Sequence, residues 1–267
     1  MTIKINKENI RIRPSAVDGF YSCAYQWGKT FLEGKCTIPG ARAAIGTSIH
    51  AAVETMWTDA IATGKKDSNL SKLTDAAMGA WKEQTHDGVK FDDGEDANTA
   101  AVEIIRGAEA FVEDIVPFTK IPNAVEEFYK VDIEHALVSE LGGTVDYITN
   151  DTIADVKTSK RKLSTPSYTT QQSIYKYLAQ ANGVDVKHNL IQGVVLRKTG
   201  AEGMVLSMET NVPLAKRLIN GMLDTLDIIA KDVAPIETIL RGNPKYYLCS
   251  PKYCGEYETC PFVNGEV

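Results

Sequence analysis

The sequence predicts a mixed α/β protein, in which a mixed β-sheet is flanked by helices and preceded by a helical N-terminal part. Apolar residues recur at helical spacing up to about residue 115, then fall into strand-like runs with helical stretches between them. Residues 242–267 follow neither period and hold three of the five cysteines. We therefore expect a helical part, a mixed-sheet core and a separate cysteine-rich end.

The elements follow in order along the chain. Helices are predicted at residues 41–63, 70–83, 99–115, 167–181 and 213–232. Strands are predicted at residues 125–133, 143–149, 152–158, 189–197 and 203–209. Residues 86–98 are acidic and contain glycine, which predicts a loop with the composition of a mobile segment. Three parts are expected, at residues 1–122, 123–240 and 241–267.

The charge of the chain is unevenly distributed. The formal net charge is −6, yet residues 43–155 have a net charge of −14 and residues 156–200 a net charge of +7. Lys160, Arg161 and Lys162 form a compact basic run in the second block. This run predicts contacts with nucleic-acid phosphates, and chance clustering of solvated charges is the alternative.

Composition excludes several classes of protein. No apolar run approaches the roughly 18 residues of a membrane span, and the N-terminus lacks an apolar signal core, so we expect a cytoplasmic protein without membrane contact. An odd number of cysteines does not indicate a disulfide framework in such a protein. The crowding of Cys249, Cys254 and Cys260 is more typical of a metal site.

A predicted hairpin brings two carboxylates together. Asn150 and Asp151 form a plausible two-residue turn, and the resulting register places Asp146 opposite Asp155, with Lys157 on the same face as Asp155. Facing carboxylates destabilise a hairpin unless solvent, a shared proton or a cation compensates. Mg²⁺ is held by such carboxylates, and the lysine can then assist a water that attacks a phosphate. The alternative is an exposed aspartate pair beside a solvated lysine.

Four short motifs follow one another along the chain. They are GxxxH at Gly46 and His50, GxxD at Asp146, DxK at Asp155 and Lys157, and QxxxY at Gln171 and Tyr175. This series resembles the PD-(D/E)xK nuclease superfamily, and in particular its RecB-like exonuclease branch, which includes the CRISPR-associated RecB-like exonucleases and the AddB nuclease domain. Glu126 resembles the glutamate often found on the preceding strand of these enzymes.

The resemblance implies a restriction-endonuclease-like core and a divalent-metal-dependent DNA nuclease. It implies that His50, Asp146 and Asp155 bind Mg²⁺ or Mn²⁺ and that Lys157 assists the nucleophile. It also implies that Gln171 and Tyr175 belong to the catalytic set, on a helix that flanks the active site and contacts DNA. The glycine one turn before the histidine would leave room above the imidazole ring. The alternatives are a structural histidine and, on the later helix, a partly buried tyrosine beside a solvated glutamine.

The resemblance also gives the cysteines a role. In part of the branch, one N-terminal and three C-terminal cysteines hold a [4Fe–4S] cluster, which here implies Cys23, Cys249, Cys254 and Cys260. The spacing departs from the commoner pattern, because four residues rather than two separate Cys249 from Cys254, so zinc or no metal remains an alternative. Cys36 is left as a free structural thiol.

We therefore expect a metal-dependent DNA exonuclease that hydrolyses phosphodiester bonds in recombination, repair or phage DNA processing. Its partners would be single-stranded DNA or duplex ends and a recombination, annealing or helicase protein. A CRISPR-adaptation nuclease that trims prespacers shares the same motifs. The other alternative is an Fe–S DNA-binding accessory module without turnover, although a pure binder has no need of the costly Asp146–Asp155 pairing.

Overall fold

The computed structural model describes Ile3, Ile5 and residues 9–35 and 38–265. Its helices are α1 (Pro14–Ser22), α2 (Ala24–Phe31), α3 (Ala41–Thr63), α4 (Leu70–Gln84), α5 (Ala97–Asp114), α6 (Thr169–Ala181), α7 (Val212–Ala230), α8 (Ile236–Ile239) and α9 (Pro261–Asn264). Its strands are β1 (Ile10–Ile12), β2 (Ala124–Asp132), β3 (Val138–Thr149), β4 (Thr152–Ser159), β5 (His188–Arg197) and β6 (Gly200–Met208).

The six strands form one mixed sheet, and the sequence predicts such a sheet from five of them. Strands β1, β3, β4, β5 and β6 are neighbours in that order, and β2 pairs with the other edge of β3. The β1–β3 and β4–β5 pairs are parallel, whereas the β2–β3, β3–β4 and β5–β6 pairs are antiparallel. The parallel β4–β5 pair requires a crossover, which α6 provides.

One edge of β3 is shared by two strands and is open between them. Strand β1 pairs with the start of β3 as far as Ile12 and Leu141, and β4 pairs with its end from Tyr147 and Ala154 onwards. Beyond that point β4 pairs only with β5 among the described residues. Strands β3 and β4 therefore diverge, and a fork opens in the sheet beside residues 142–146.

Two layers of helices cover the sheet. Helices α3, α4 and α5 bury an apolar cluster against one side, centred on Trp57 and Phe111. Helices α1, α2, α6 and α7 bury a second cluster that includes Phe20, Leu178 and Met222. Burying a large apolar side chain contributes about 1.5–3 kcal/mol, so each layer fixes its helices firmly on the sheet.

The segment after α7 packs back on the N-terminal helices. The Tyr25 backbone N–H donates to the Arg241 carbonyl at 3.2 Å, and the Asn243 side chain donates to the Ser22 carbonyl at 3.0 Å. The ring of Tyr25 meets that of Phe262 edge to face at 5.4 Å. The two ends of the chain are therefore joined on the same side of the molecule.

The predicted helices and strands correspond to α3–α7 and β2–β6, with ends displaced by a few residues. Strand β1 was not predicted, and it enters the sheet from the N-terminal part. The division at residues 122 and 240 stays a prediction, and Cys36 lies outside the described residues. Among the described helices, none is long and apolar enough to cross a bilayer.

Candidate active site

A polar groove of about 650 Å³ opens at the fork between β3 and β4. Helix α3 forms one wall and contributes Gly46, His50 and Glu54, and the strands contribute Glu126, Thr144, Asp146, Lys157 and Thr158. A second cavity of about 270 Å³ continues past Thr144 towards Arg11, Arg13 and Tyr175. Several of the residues that the motifs single out therefore share one continuous surface.

His50 and Asp146 form an ion pair across the groove. The His50 Nδ1 lies 3.3 Å from Asp146 Oδ1, and the other carboxylate oxygen accepts a hydrogen bond from the Val156 backbone N–H. Burial alone would lower the pKa of His50, but the charge of Asp146 outweighs it and raises that pKa. Burial would raise the pKa of Asp146, and the charge of His50 outweighs it in turn. Asp146 is thus held as a carboxylate that points into the groove.

The glycine of the GxxxH motif has a different neighbour from the one expected. A Cβ built on Gly46 would come within 2.9 Å of Thr158 Oγ1, and no atom of the His50 ring is among its contacts within 4 Å. Gly46 therefore lets α3 approach β4, rather than leaving room above the imidazole. That close approach brings His50, one turn later on α3, to the mouth of the fork.

The hairpin has the predicted turn and register, but its ladder ends one step early. Tyr147 pairs with Ala154, and the next step would pair Asp146 with Asp155. There the Asp146 carboxylate, instead of a strand carbonyl, accepts the Val156 N–H. The two aspartates are close enough that the charge of Asp146 helps to raise the pKa of Asp155, although they are not a ladder pair.

Asp155 and Lys157 lie side by side on β4, as their alternation predicts. Lys157 Nζ is 2.6 Å from Asp155 Oδ2, and Asp155 is 3% exposed. Burial is the main cause that raises the pKa of Asp155 to about 6, and Lys157 opposes it. The ammonium also lies 6.0 Å from the centre of the Tyr168 ring. The lysine is therefore held at the floor of the groove by a buried carboxylate.

Glu126 completes a cluster that the motifs describe only in part. Donor atoms of His50, Glu126 and Asp146 all lie within 4.8 Å of one another. Partial burial and the charges of Asp146 and Glu54 raise the pKa of Glu126 to about 7. Glu126 sits at an irregular step of β2, since Val125 and Glu127 pair with β3 while Glu126 does not. Nothing in the local sequence marks this step.

These donors fit a hard divalent cation. One imidazole nitrogen and several carboxylate oxygens are the ligands that Mg²⁺ and Mn²⁺ accept. Burial is the largest cause of the raised pKa of Glu126, and the charges of Asp146 and Glu54 add to it, so a bound cation would relieve part of this cost. The group is open on the groove side, where water and a phosphate can reach it.

Gln171 and Tyr175 share a face of α6, and both are 8% exposed. The alternative of a solvated glutamine is therefore wrong. Burial raises the pKa of Tyr175, the nearby carboxylates raise it further, and a hydrogen bond to Gln171 opposes them. The tyrosine ring lies close to Gly143 of the fork and to Pro14 of α1. A Cβ built on Gly143 would come within 3.1 Å of this ring and 2.6 Å of Pro14 Cδ.

The basic run lies just beyond the groove, at the end of β4. Arg161 and Lys162 are exposed and make no ion pair within the described part of the chain. Lys160 is paired with Glu95, which belongs to the acidic segment between α4 and α5. The acidic segment is thus attached to the basic run, a contact that neither segment's composition indicates.

The four cysteines gather where the chain ends meet. Cys260 is buried, Cys23, Cys249 and Cys254 are half-buried, and all four are free thiols. Burial raises the pKa of Cys254, and the charges of Cys23, Cys249 and Cys260 raise it further, so all four are electrostatic neighbours. Among the described residues, the cysteines are not part of any group of three metal-binding atoms within 4.8 Å of one another.

Known proteins are similar to this chain in sequence family and in fold. A family model described as the PD-(D/E)XK nuclease superfamily matches residues 11–262. The crystal structure of a "Putative exonuclease" from Eubacterium rectale is 14% identical, with coverage of 84% of this chain and 83% of that chain and a TM-score of 0.50. The crystal structure of SSO0001 is 15% identical over 86% of this chain and 89% of that chain, with a TM-score of 0.35. No curated protein matches the chain in sequence.

Proposed function

The chain belongs to the PD-(D/E)XK nuclease superfamily, and from this premise we propose that it is a divalent-metal-dependent DNA exonuclease. Its mixed sheet between two helical layers is the restriction-endonuclease-like fold of such enzymes. The proposed substrate is a DNA strand with a free end, and the proposed setting is recombination, repair or phage DNA processing.

The observation that carries this proposal is the convergence of donors at the fork. His50, Glu126 and Asp146 come within 4.8 Å of one another, and Lys157 lines the same groove. A module that only binds DNA would have no use for clustered carboxylates, since they repel the phosphate backbone. The arrangement therefore favours hydrolysis over passive binding.

The chemistry divides among the residues of the groove. His50, Asp146 and Glu126, with the neighbouring Asp155, would hold Mg²⁺ or Mn²⁺. Such an ion, when bound, polarises a phosphate oxygen and lowers the pKa of a water. Lys157 places its ammonium beside the scissile phosphate, where it orients the attacking water and stabilises the charge that develops. Asp155 holds that ammonium in place through the 2.6 Å ion pair.

The proposal is tested with Lys157→Ala and Asp146→Asn in a Mn²⁺-dependent assay on end-labelled linear DNA. We expect Lys157→Ala to lower the rate by about 10²–10³-fold, as for removal of a group that stabilises transition-state charge. Asp185→Asn is the matched control, because that side chain is 85% exposed and far along the chain from the groove residues. Unchanged activity in both site variants would contradict the proposal, and degradation of circular DNA would contradict the exonuclease assignment.

We also propose that Cys23, Cys249, Cys254 and Cys260 hold a [4Fe–4S] cluster. The four thiols are electrostatic neighbours where the chain ends meet, which supports one shared metal site. Four thiolates are the usual ligand set of such a cluster. Protein purified without oxygen should be brown and contain iron and sulfide. A colourless protein with stoichiometric zinc would refute the cluster.

A further inference from the structure

Beside the groove, Arg42 and Lys160 form a basic site, and the carboxylate of Glu95 occupies it. The acidic loop, defined as residues 91–96, crosses from α4 towards the end of β4. Its Glu95 Oε1 accepts hydrogen bonds from Arg42 Nε at 3.1 Å, from Arg42 Nη2 and from Lys160 Nζ. The Glu95 side chain is 8% exposed, so a carboxylate is nearly buried between two cations.

The site lies on the same two elements as the groove. Arg42 stands on α3 one turn before Gly46, a rise of about 6 Å. Lys160 directly follows Ser159, the last residue of β4, and lies three residues beyond Lys157, which is at most about 10 Å of extended chain. A cavity of about 620 Å³ opens here, and it also contains Arg106, Arg197 and Lys198. A strand bound at Lys157 would therefore pass Arg42 and Lys160 with a neighbouring phosphate.

Glu95 matches this site imperfectly. Only one of its oxygens is used by the two cations, and the other, Oε2, is buried without a hydrogen-bond partner among the described residues. Burial would raise the pKa of Glu95, but hydrogen bonds from Lys160 and Arg42 outweigh it and lower that pKa, so the group is charged. A phosphodiester has two non-bridging oxygens that share one negative charge, and each can accept from one of the two cations, which satisfies the donors more fully.

The acidic loop is fixed at its ends and held between them mainly by side-chain ion pairs. At its start the Lys90 backbone bonds to Pro39 and Ala41, and at its end Asp96 caps α5 through the Thr99 N–H at 2.7 Å. Between these points, the Phe91 ring contacts that of Trp81, with centres 6.4 Å apart, and residues 92–95 are held to other segments by the Glu95 contacts and by a 3.3 Å ion pair from Lys252 to Asp92. Release of these pairs would free the loop without unfolding either helix.

We propose that Arg42 and Lys160 form a second phosphate-binding site for the DNA strand, and that Glu95 occupies it until DNA displaces the acidic loop. This inference rests on the proposed function, because it assigns the strand's path beyond the groove. Glu103, which also pairs with Arg42, keeps the guanidinium in place after Glu95 has left.

The test compares charge-neutral variants of the acidic loop in binding a short fluorescent single-stranded oligonucleotide in EDTA. Glu95→Gln removes the competing carboxylate. Asp93→Asn is the matched control for loop charge, because Asp93 lines the same cavity but is exposed and has no ion pair in the described ranges. Both variants change the net charge equally. We expect Glu95→Gln to bind about two- to fivefold more tightly than Asp93→Asn. Equal or weaker binding would overturn the proposal.

A second loop variant and a hydrogen-exchange measurement test the same proposal independently of Glu95→Gln. Asp92→Asn loosens the loop at Lys252 and leaves the Glu95 contacts intact, so it must also bind more tightly than Asp93→Asn even if Glu95→Gln folds poorly. Hydrogen exchange of residues 91–95 should rise when DNA is added to the wild-type protein, and unchanged or slower exchange would count against displacement. Binding is measured without divalent metal, so absence of Mn²⁺-dependent cleavage would refute the proposed function while this comparison still decides the loop.

Discussion

At the scale of single residues, Glu126 shows how far the backbone departs from regular geometry to build the site. Its φ is 50°, in the left-handed region that a glutamate in a strand rarely adopts. Such a conformation costs about 1–3 kcal/mol and persists only where the surroundings impose it. Here the irregular step of β2 brings the carboxylate to His50 and Asp146.

Replacement of Glu126 by glutamine should weaken divalent-metal binding without loss of the fold. The amide keeps the shape of the side chain but removes a charged ligand, and we expect Mn²⁺ affinity to fall by about 10-fold or more. Glu127→Gln is the matched control, because its neighbouring position pairs regularly with Val145 and is exposed. Calorimetric titration with Mn²⁺ measures both variants. If their affinities are the same, Glu126 is not a ligand.

Metal binding should depend on pH in a direction that the raised carboxyl pKa values fix. Burial raises the pKa of Asp155 to about 6, and partial burial with neighbouring charges raises that of Glu126 to about 7. Both groups hold protons more tightly in the folded than in the unfolded chain, so their contribution to stability is lost as the pH rises through these values. Mn²⁺ bound by the proposed ligands would compete with those protons and take their place.

We therefore expect added Mn²⁺ to raise the melting temperature more at about pH 8 than at about pH 5.5, and to release protons when it binds near neutrality. Calorimetry in two buffers of different ionisation enthalpy measures the release. Glu126→Gln should release fewer protons than the wild-type protein. A metal-induced shift that is larger at the lower pH would be incompatible with these ligands.

At the scale of elements, the strongest predictions came from local rules. The turn at Asn150 and Asp151 sets the β3–β4 register by itself, so the approach of Asp146 to Asp155 was readable from spacing. The long amphipathic helix α3 was readable from its apolar period. Strand β1 could not be predicted, because three residues are too few to show an alternating pattern of apolar residues. Its partner strand β3 also lies more than 120 residues away in the sequence.

The rest of the site depends on contacts between distant segments. The early end of the β3–β4 ladder results from the Asp146 carboxylate accepting the Val156 N–H. The position of α3 results from the contact of Gly46 with Thr158. The pairing of Glu95 with Arg42 and Lys160 joins three segments that are remote in the chain. Motif resemblance named His50 and Lys157, but only the packing shows what surrounds them.

Local packing predicts opposite effects for two glycine-to-alanine substitutions, one where α1 contacts the fork and one at an open position of α4. Gly143→Ala would place a Cβ 2.6 Å from Pro14 Cδ, and we expect a loss of about 1–3 kcal/mol in unfolding free energy. Gly79→Ala lies in α4, where no atom stands within 4 Å of the new Cβ, and should gain about 0.5–1 kcal/mol. Urea unfolding measures both. Adding Pro14→Ala should recover part of the Gly143→Ala loss, and equal effects of the two glycine substitutions would contradict this packing.

At the scale of the whole molecule, the net charge of −6 is the sum of an acidic block and a basic block, and the fold brings parts of the two blocks together. The acidic block from residue 43 to residue 155 includes the carboxylates of the groove and the acidic loop, whereas the basic block begins beside Lys157. Acidic and basic segments therefore meet at the end of β4 instead of lying on separate faces. Total charge is a poor guide to partners when part of the acidity is gathered at a candidate metal site.

The last prediction concerns the joining of the two chain ends. Four thiols that bind one cluster would close a loop of most of the chain, and they would fix the segment after residue 241 against α1 and α2. We expect Cys23→Ser and Cys260→Ser to lose iron and to lower the melting temperature by about 5 °C or more. Limited proteolysis should then cut within residues 241–265 faster than in the wild-type protein. Cys36→Ser is the control, since the sequence leaves that thiol outside the cluster. Iron retained in both ligand variants, or lost in the control, would show that other residues join the chain ends.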